Sequence, residues 1–220
     1  QDDHRFLKTA FDVSVFADIA RQEIQFGYLK RPTARNTEQD KAKFEVCNHK
    51  YTDLSETRYG VSILNDCKYG ISVKDSRMHL SLHKGGLRPD WTGDHGKHRC
   101  TYVFHPHRGG FGAEQVIKPA YELNYPVLTA DTAAAKPSFV RVDADNVVIE
   151  TVKPCEDAQR AYILRMYEAE GCHCRAALIF RDSNVKLYAT DMLEENAVPC
   201  DTTLSFRPLE IKTIKVVYGE

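Results

Sequence analysis

Asp66 stands where an alternating apolar run, Tyr59 to Leu64, gives way to Asn65-Asp66-Cys67-Lys68-Tyr69-Gly70, a polar break closed by glycine. A carboxylate placed there sits at a sheet end, where it can hold an Asx-type turn or face a ligand. Asp90, Trp91 and Asp94 lie in a second stretch, Lys84 to His98, whose glycines and proline rule out regular structure. An indole beside carboxylates suits a sugar, because apolar sugar faces pack on aromatic rings while hydroxyls bond to acids. The plainer role for the same indole is to pin its loop onto the sheet or a neighbouring domain. Acid–base cleavage of a glycosidic bond needs two carboxyl groups about 5 to 9.5 Å apart. Nothing in the sequence ties any two of these acids to that separation.

A metal is the next chemistry to weigh. His95, His98, His105 and His107 fall within thirteen positions, and imidazole suits zinc. The run between the two pairs is strand-like, and at ~3.3 Å per residue it holds them near opposite ends. Turn and surface histidines are therefore the expectation. Cys172-His173-Cys174 places two thiols on one face of a strand, but no second pair follows at zinc spacing. Neither a Gly-x-Ser-x-Gly elbow nor a phosphate-binding Gly-x-x-x-x-Gly-Lys-Ser/Thr loop is present. The residues therefore predict no catalytic group and no metal ligand in this chain.

The elements that must position these side chains are strands. Ile24, Phe26 and Tyr28 alternate as on one strand face, and so do Tyr59, Val61 and Ile63. Ile71 and Val73, then Met78, Leu80 and Leu82, flank Lys74-Asp75-Ser76-Arg77 and read as a hairpin. Cys100 to His105 reads as a further strand, ended by Pro106, which cannot donate to a ladder. The segment 131–137 is poor in large apolar residues and reads as a linker between residues 1–130 and 138–220. Beyond it, short strands are expected at Phe139–Val142, Val147–Val152, Tyr162–Tyr167, Ala176–Phe180, Val185–Tyr188 and Ile211–Tyr218. The expected class is all-β.

Composition narrows the partners. Thirty basic against thirty-one acidic residues among 220 give a net charge of −1, which argues against a grip on nucleic acid or an anionic membrane. No apolar run approaches the ~20 residues that span a bilayer. Seven cysteines without a repeated Cys-x-x-Cys pair point to reduced thiols and a cytoplasmic setting.

Longer phrases carry a resemblance. Gln22-Glu-Ile-Gln-Phe-Gly-Tyr28, Arg31-Pro-Thr-Ala-Arg-Asn-Thr37, Phe44 to Gly70 and His98-Arg-Cys-Thr-Tyr-Val-Phe-His-Pro-His107 resemble the non-catalytic β-rich half of α-mannosidases of glycoside hydrolase family 38, in its bacterial and vacuolar-type branch. Asn146 to Lys153 and Arg207 to Thr213 resemble the terminal β-sandwich of the same enzymes. The resemblance implies the later strands of a mutarotase-like β-supersandwich, followed by a small Ig-like β-sandwich. It also implies a parent enzyme that hydrolyses α-mannosides with retention. The nucleophile, the acid and the zinc ligands would then lie in an N-terminal α/β domain outside these residues.

No catalytic or zinc-binding residue of the family carries over onto a position here, so no cofactor is expected in this segment. The β-region of the family helps wall the pocket, which makes Asn65, Asp66, Lys68 and Tyr69 the expected substrate contacts. The expected partners are the N-terminal catalytic domain, an α-mannoside or oligosaccharide reached through the parent enzyme, and a second copy in a homo-oligomer. Pro89-Asp-Trp-Thr-Gly-Asp-His-Gly96 departs from the Pro-Asp-x-x-Ala-Asp-x-Gly character common in the family. That departure leaves the substrate preference open, and the alternative to the supporting role is an independent carbohydrate-binding module using Trp91 with Asp90 and Asp94.

Overall fold

The computed structural model describes residues 6–85, 88, 90, 92–93, 95–129, 131, 138–156 and 158–219. The chain divides into two compact units, Gln1–Val127 and Leu128–Glu220. Residues 132–137 of the expected linker lie outside the described residues.

Among its described residues the first unit has nine strands: β1 (Phe6–Asp12), β2 (Ile19–Ile24), β3 (Gly27–Pro32), β4 (Val46–Cys47), β5 (Tyr51–Ser55), β6 (Tyr59–Asn65), β7 (Gly70–Lys74), β8 (Arg77–Lys84) and β9 (Tyr102–Arg108). They form a four-stranded sheet in the order β1-β8-β7-β4 and a five-stranded sheet in the order β3-β2-β5-β6-β9. The pairings are antiparallel, and alternation sends every second side chain inward. Val61 and Ile63 from one sheet meet Ile71, Val73, Met78 and Leu80 from the other, with Leu54 and Ala20 beside them. Ile63, Ile71, Met78 and Leu80 are fully buried, each worth about 1.5 to 3 kcal/mol relative to exposure.

The opposite face of the five-stranded sheet is also covered. A π-helical turn at Ala113–Ile117 runs into helix α2 (Lys118–Asn124), which contacts β6. Val116, Ile117 and Ala120 are buried there. Helix α1 (Glu38–Ala42) is a single short turn capped by Thr37, whose hydroxyl receives the Asp40 N–H while the Asp40 carboxylate receives the Thr37 N–H. Among the described residues no helix is long and apolar enough to cross a membrane.

Two expectations are corrected. Ile24, Phe26 and Tyr28 do not share one strand, because Ile24 pairs with Gly27 across a two-residue turn. Phe26 is left-handed there at φ 57°, and Gly27 at φ 153° relieves the crowding. Pro106 does not end its strand either: it lies inside β9, opposite Val61. Because β9 is an edge strand, the missing N–H points to the unpaired side and costs no ladder bond.

The second unit is a β-sandwich. β10 (Val140–Val142), β13 (Cys174–Phe180) and β16 (Thr203–Phe206) make a three-stranded sheet. β11 (Val147–Pro154), β12 (Ala161–Glu168), β17 (Ile211–Tyr218), β14 (Val185–Thr190) and β15 (Val198–Cys200) make a five-stranded one. Leu164, Met166, Ile214 and Val216 pack against Ala176, Leu178, Leu204 and Phe206. The six strands expected from the sequence are present, while β15 and β16 were too short and too polar to read.

Candidate functional site

β6 ends at Asn65, and the turn that follows is fastened by its own Asn-Asp chemistry. The Asn65 side chain accepts the Lys68 N–H at 2.7 Å and donates to the His49 carbonyl at 2.6 Å. The Asn65 backbone carbonyl in turn receives Asn124 Nδ2 from α2 at 3.1 Å. Asp66 exchanges bonds with Thr101: its N–H donates to the Thr101 carbonyl at 3.1 Å, and both carboxylate oxygens lie 3.0 Å from the Thr101 N–H. Three separate segments therefore hold this one turn.

The four expected contact residues split by what remains free. Asn65 is 0 % exposed, so its amide is committed to the turn and positions its neighbours rather than meeting a ligand. Asp66 is spent on Thr101 and on the Cys67 thiol. Tyr69 is displayed and Lys68 is half-buried. Lys68 lines a cleft with Glu45, Lys84 and His98, and Tyr69 is 49 % exposed with its ring 5.1 Å from that of His49.

Burial works to raise the Asp66 pKa, but hydrogen bonds from Cys67 and from the Thr101 backbone outweigh it, and the carboxyl sits below its usual range. The hydrogen bond to Asp66 is also the main reason the Cys67 thiol is pushed up to about 11, with burial adding to it. Asp66 is therefore a fixed anion and Cys67 a protonated thiol at neutral pH. An ionised carboxylate of this kind organises a turn; it has no proton to deliver.

Asp90 serves its own turn, accepting from Thr92 N at 2.9 Å and Thr92 Oγ1 at 2.8 Å. Trp91 and Asp94 lie outside the described residues. Among the described residues no three of His, Cys, Asp and Glu come together as a cation site. His105 bonds the Gln115 carbonyl at 2.9 Å, and the His98 ring lies 5.0 Å from that of His83.

His107 departs from the expectation of a surface histidine. It is 8 % exposed, and its Nε2 lies 2.9 Å from Asp53 Oδ1. Asp53, 0 % exposed, also accepts from Ser62 Oγ at 2.8 Å and Ser55 Oγ at 2.6 Å. Serine, histidine and aspartate thus meet, but both hydroxyls point at the carboxylate instead of the imidazole. No base is placed to activate a serine, and burial closes the group to substrate. Gly60 makes the arrangement possible, since a Cβ there would come within 2.6 Å of His107 Nε2. Its register signal was in the sequence, with Gly60 opposite His107 and Ser62 opposite Asp53, but pairing must be known before it can be read.

Glu168 is a second functional-looking acid that proves architectural. It is 0 % exposed and accepts the N–H groups of Glu170 and Gly171 at 2.8 Å and of Cys172 and Leu209 at 3.0 Å, with Asn146 Nδ2 at 3.0 Å. Burial works to raise its pKa, but these donors together hold it below the usual glutamate range. Cys172 donates toward the same carboxylate, and burial together with that charge raises its pKa, which disfavours the thiolate a metal would need.

The chain matches two family descriptions: "Glycosyl hydrolases family 38 C-terminal domain" over residues 1–92, and "Glycosyl hydrolases family 38 C-terminal beta sandwich domain" over residues 146–214. It is similar to alpha-mannosidase 2C1 of Homo sapiens, 46% identical over 176 residues, which cover 77% of this chain and 17% of that protein. It is also similar to alpha-mannosidase G of Dictyostelium discoideum, 35% identical over 231 residues, covering 97% and 21% respectively. The chain spans about a fifth of the length of these curated relatives. In fold it is similar to an alpha-mannosidase from Enterococcus faecalis V583, with a TM-score of 0.76 at 15% identity over 94% of this chain and 25% of the other. With both of its units matched to that family, this chain belongs to glycosyl hydrolase family 38, whose C-terminal domains it carries.

Proposed function

We propose that this chain is the non-catalytic C-terminal β-region of a retaining, zinc-dependent α-mannosidase, and that the turn from Asp66 to Tyr69 forms part of the rim of its mannoside pocket. The carrying observation is that this turn is locked from three segments by Asn65 and Asp66 while Tyr69 stays exposed and the half-buried Lys68 lines the adjoining cleft. A rigid rim offering one ammonium and one aromatic ring can orient a sugar, through hydroxyl bonds and ring stacking, without taking part in bond cleavage. The zinc and the reacting carboxylates belong to the N-terminal domain in this reading. The donors described here do not fit a zinc: His105 is bonded to the Gln115 carbonyl, His107 and Asp53 are bonded to each other, and among the described residues no three of His, Cys, Asp and Glu come together.

The test is kinetic and needs a protein that includes the catalytic domain. Lys68→Ala and Tyr69→Ala should each raise KM for an aryl α-mannoside about three- to tenfold, equivalent to about 0.7 to 1.4 kcal/mol of binding, with little change in kcat. Unaltered KM in both variants would remove the turn from the pocket. Titration of the same protein with mannose separates this reading from a module centred on Trp91, since only the latter predicts a saturable response lost in Trp91→Ala.

A further inference from the structure

Arg31 and Arg35 belong to the phrase Arg31-Pro-Thr-Ala-Arg-Asn-Thr37, which the rim of the turn leaves unused. Arg31 leaves β3 and is anchored through Nη1 alone, to Gln22 Oε1 at 2.6 Å and the Cys47 carbonyl at 3.2 Å. Arg35 is anchored through Nη2 alone, to Ser72 Oγ at 2.9 Å, the Phe44 carbonyl at 3.1 Å and the Val73 carbonyl at 3.4 Å. Every one of these acceptors is neutral. Among the described residues no ion pair joins either arginine to a carboxylate.

Arg31 and Arg35 both line one cleft, together with Lys43, Asp40 and an apolar floor that includes Val46 and Val73, and Arg35 also borders a second opening with Ser72, Asp12 and Asp75. Asp40 is engaged in capping α1, its carboxylate accepting from Thr37 Oγ1 at 2.7 Å. Three cations against one carboxylate leave the cleft with a local excess of two positive charges. Burial pushes the Arg31 guanidinium below its usual pKa, and among the described residues no carboxylate pairs with it to offset the loss of water. A guanidinium pinned at one nitrogen keeps its remaining N–H groups in a fixed fork, the geometry that grips an oxyanion through two parallel bonds. Because the forks are already held, little side-chain freedom is lost on binding.

We infer that Arg31, Arg35 and Lys43 form a binding site for a small oxyanion of the phosphate class. A phosphate monoester is close to a dianion at neutral pH and matches the local charge excess. The site is independent of the proposed pocket rim, because it uses none of its residues.

The test is a calorimetric titration of the 220-residue chain at low ionic strength with inorganic phosphate, a hexose 6-phosphate and the neutral hexose. Both phosphates should give saturable binding that weakens with added salt, and the neutral hexose none. Tighter binding of the hexose phosphate identifies a phosphosugar as the source, and equal binding identifies the free anion. Arg31→Lys, which keeps the charge and loses the fork, should weaken binding about tenfold. Lys43 is exposed, so Lys43→Gln should weaken binding severalfold while leaving the melting temperature unchanged, and it reads the site even if Arg31→Lys unfolds. Absence of saturable binding by either phosphate, or affinities unchanged in Lys43→Gln, overturns the assignment.

Discussion

Asp66 and Cys67 show how one hydrogen bond decides two chemistries. With its pKa near 11, the Cys67 thiol holds on the order of one thiolate in ten thousand at pH 7, so exposure does not make it reactive. Asp66→Asn removes the charged acceptor, and iodoacetamide should then modify Cys67 about tenfold faster, read by peptide mass spectrometry; an unchanged rate would mean that the bond does not hold the proton. Glu168 makes the parallel case in the second unit. Its folded pKa is depressed, so the stability it contributes is complete above the ordinary glutamate range and is lost as pH falls through the folded value. Glu168→Gln should cost about 2 to 3 kcal/mol in urea unfolding at pH 7, and the cost should shrink as the pH is lowered toward 3. Asp66 was visible in the sequence because Asn-Asp before a glycine is turn chemistry. Glu168 and His107 were not, since backbone donors and cross-strand neighbours leave no local pattern.

At the scale of elements, alternation was legible wherever one face of a strand is buried and the other is not. The β7–β8 hairpin is such a case: Ile71 and Val73 pair across the turn with Leu80 and Met78, and Asp75 takes the left-handed position at φ 52°. The π-helical turn and α2 escaped, because Ala113 to Asn124 buries only a narrow stripe of small and branched residues on a sheet face already rich in polar groups. The edge strands carry the prediction of this scale. β1 and β9 each end a sheet, and Phe11 from β1 lies 5.8 Å from Phe104 and 6.1 Å from Tyr102 of β9, so both edges open on the same side of the core. Phe104, opposite fully buried Ile63, is nevertheless 46 % exposed. Open edges beside apolar surface invite further strands. In sedimentation the isolated chain should associate as its concentration rises, and Phe104→Lys should shift it toward the monomer; an equal mass for both proteins at every concentration would refute this.

For the molecule as a whole, the acids are the deciding feature. Asp53 is buried under His107 and two serines, Asp66 is tied to Thr101, Asp90 to Thr92 and Glu168 to a ring of backbone N–H groups. Each of these four acids is occupied in holding the chain. All-β architecture and family were both legible in the sequence, the first from alternation and the second from long phrases such as Tyr59 to Gly70. The division of labour inside the Asn65–Tyr69 turn was not, because it depends on His49, Thr101 and Asn124, which only the fold brings together. The most direct measurement is the initial rate at which the purified 220-residue chain cleaves an aryl α-mannoside, with and without added zinc. The account predicts no turnover above the uncatalysed background in either condition. Zinc-dependent or zinc-independent cleavage that disappears in Asp66→Asn would contradict it.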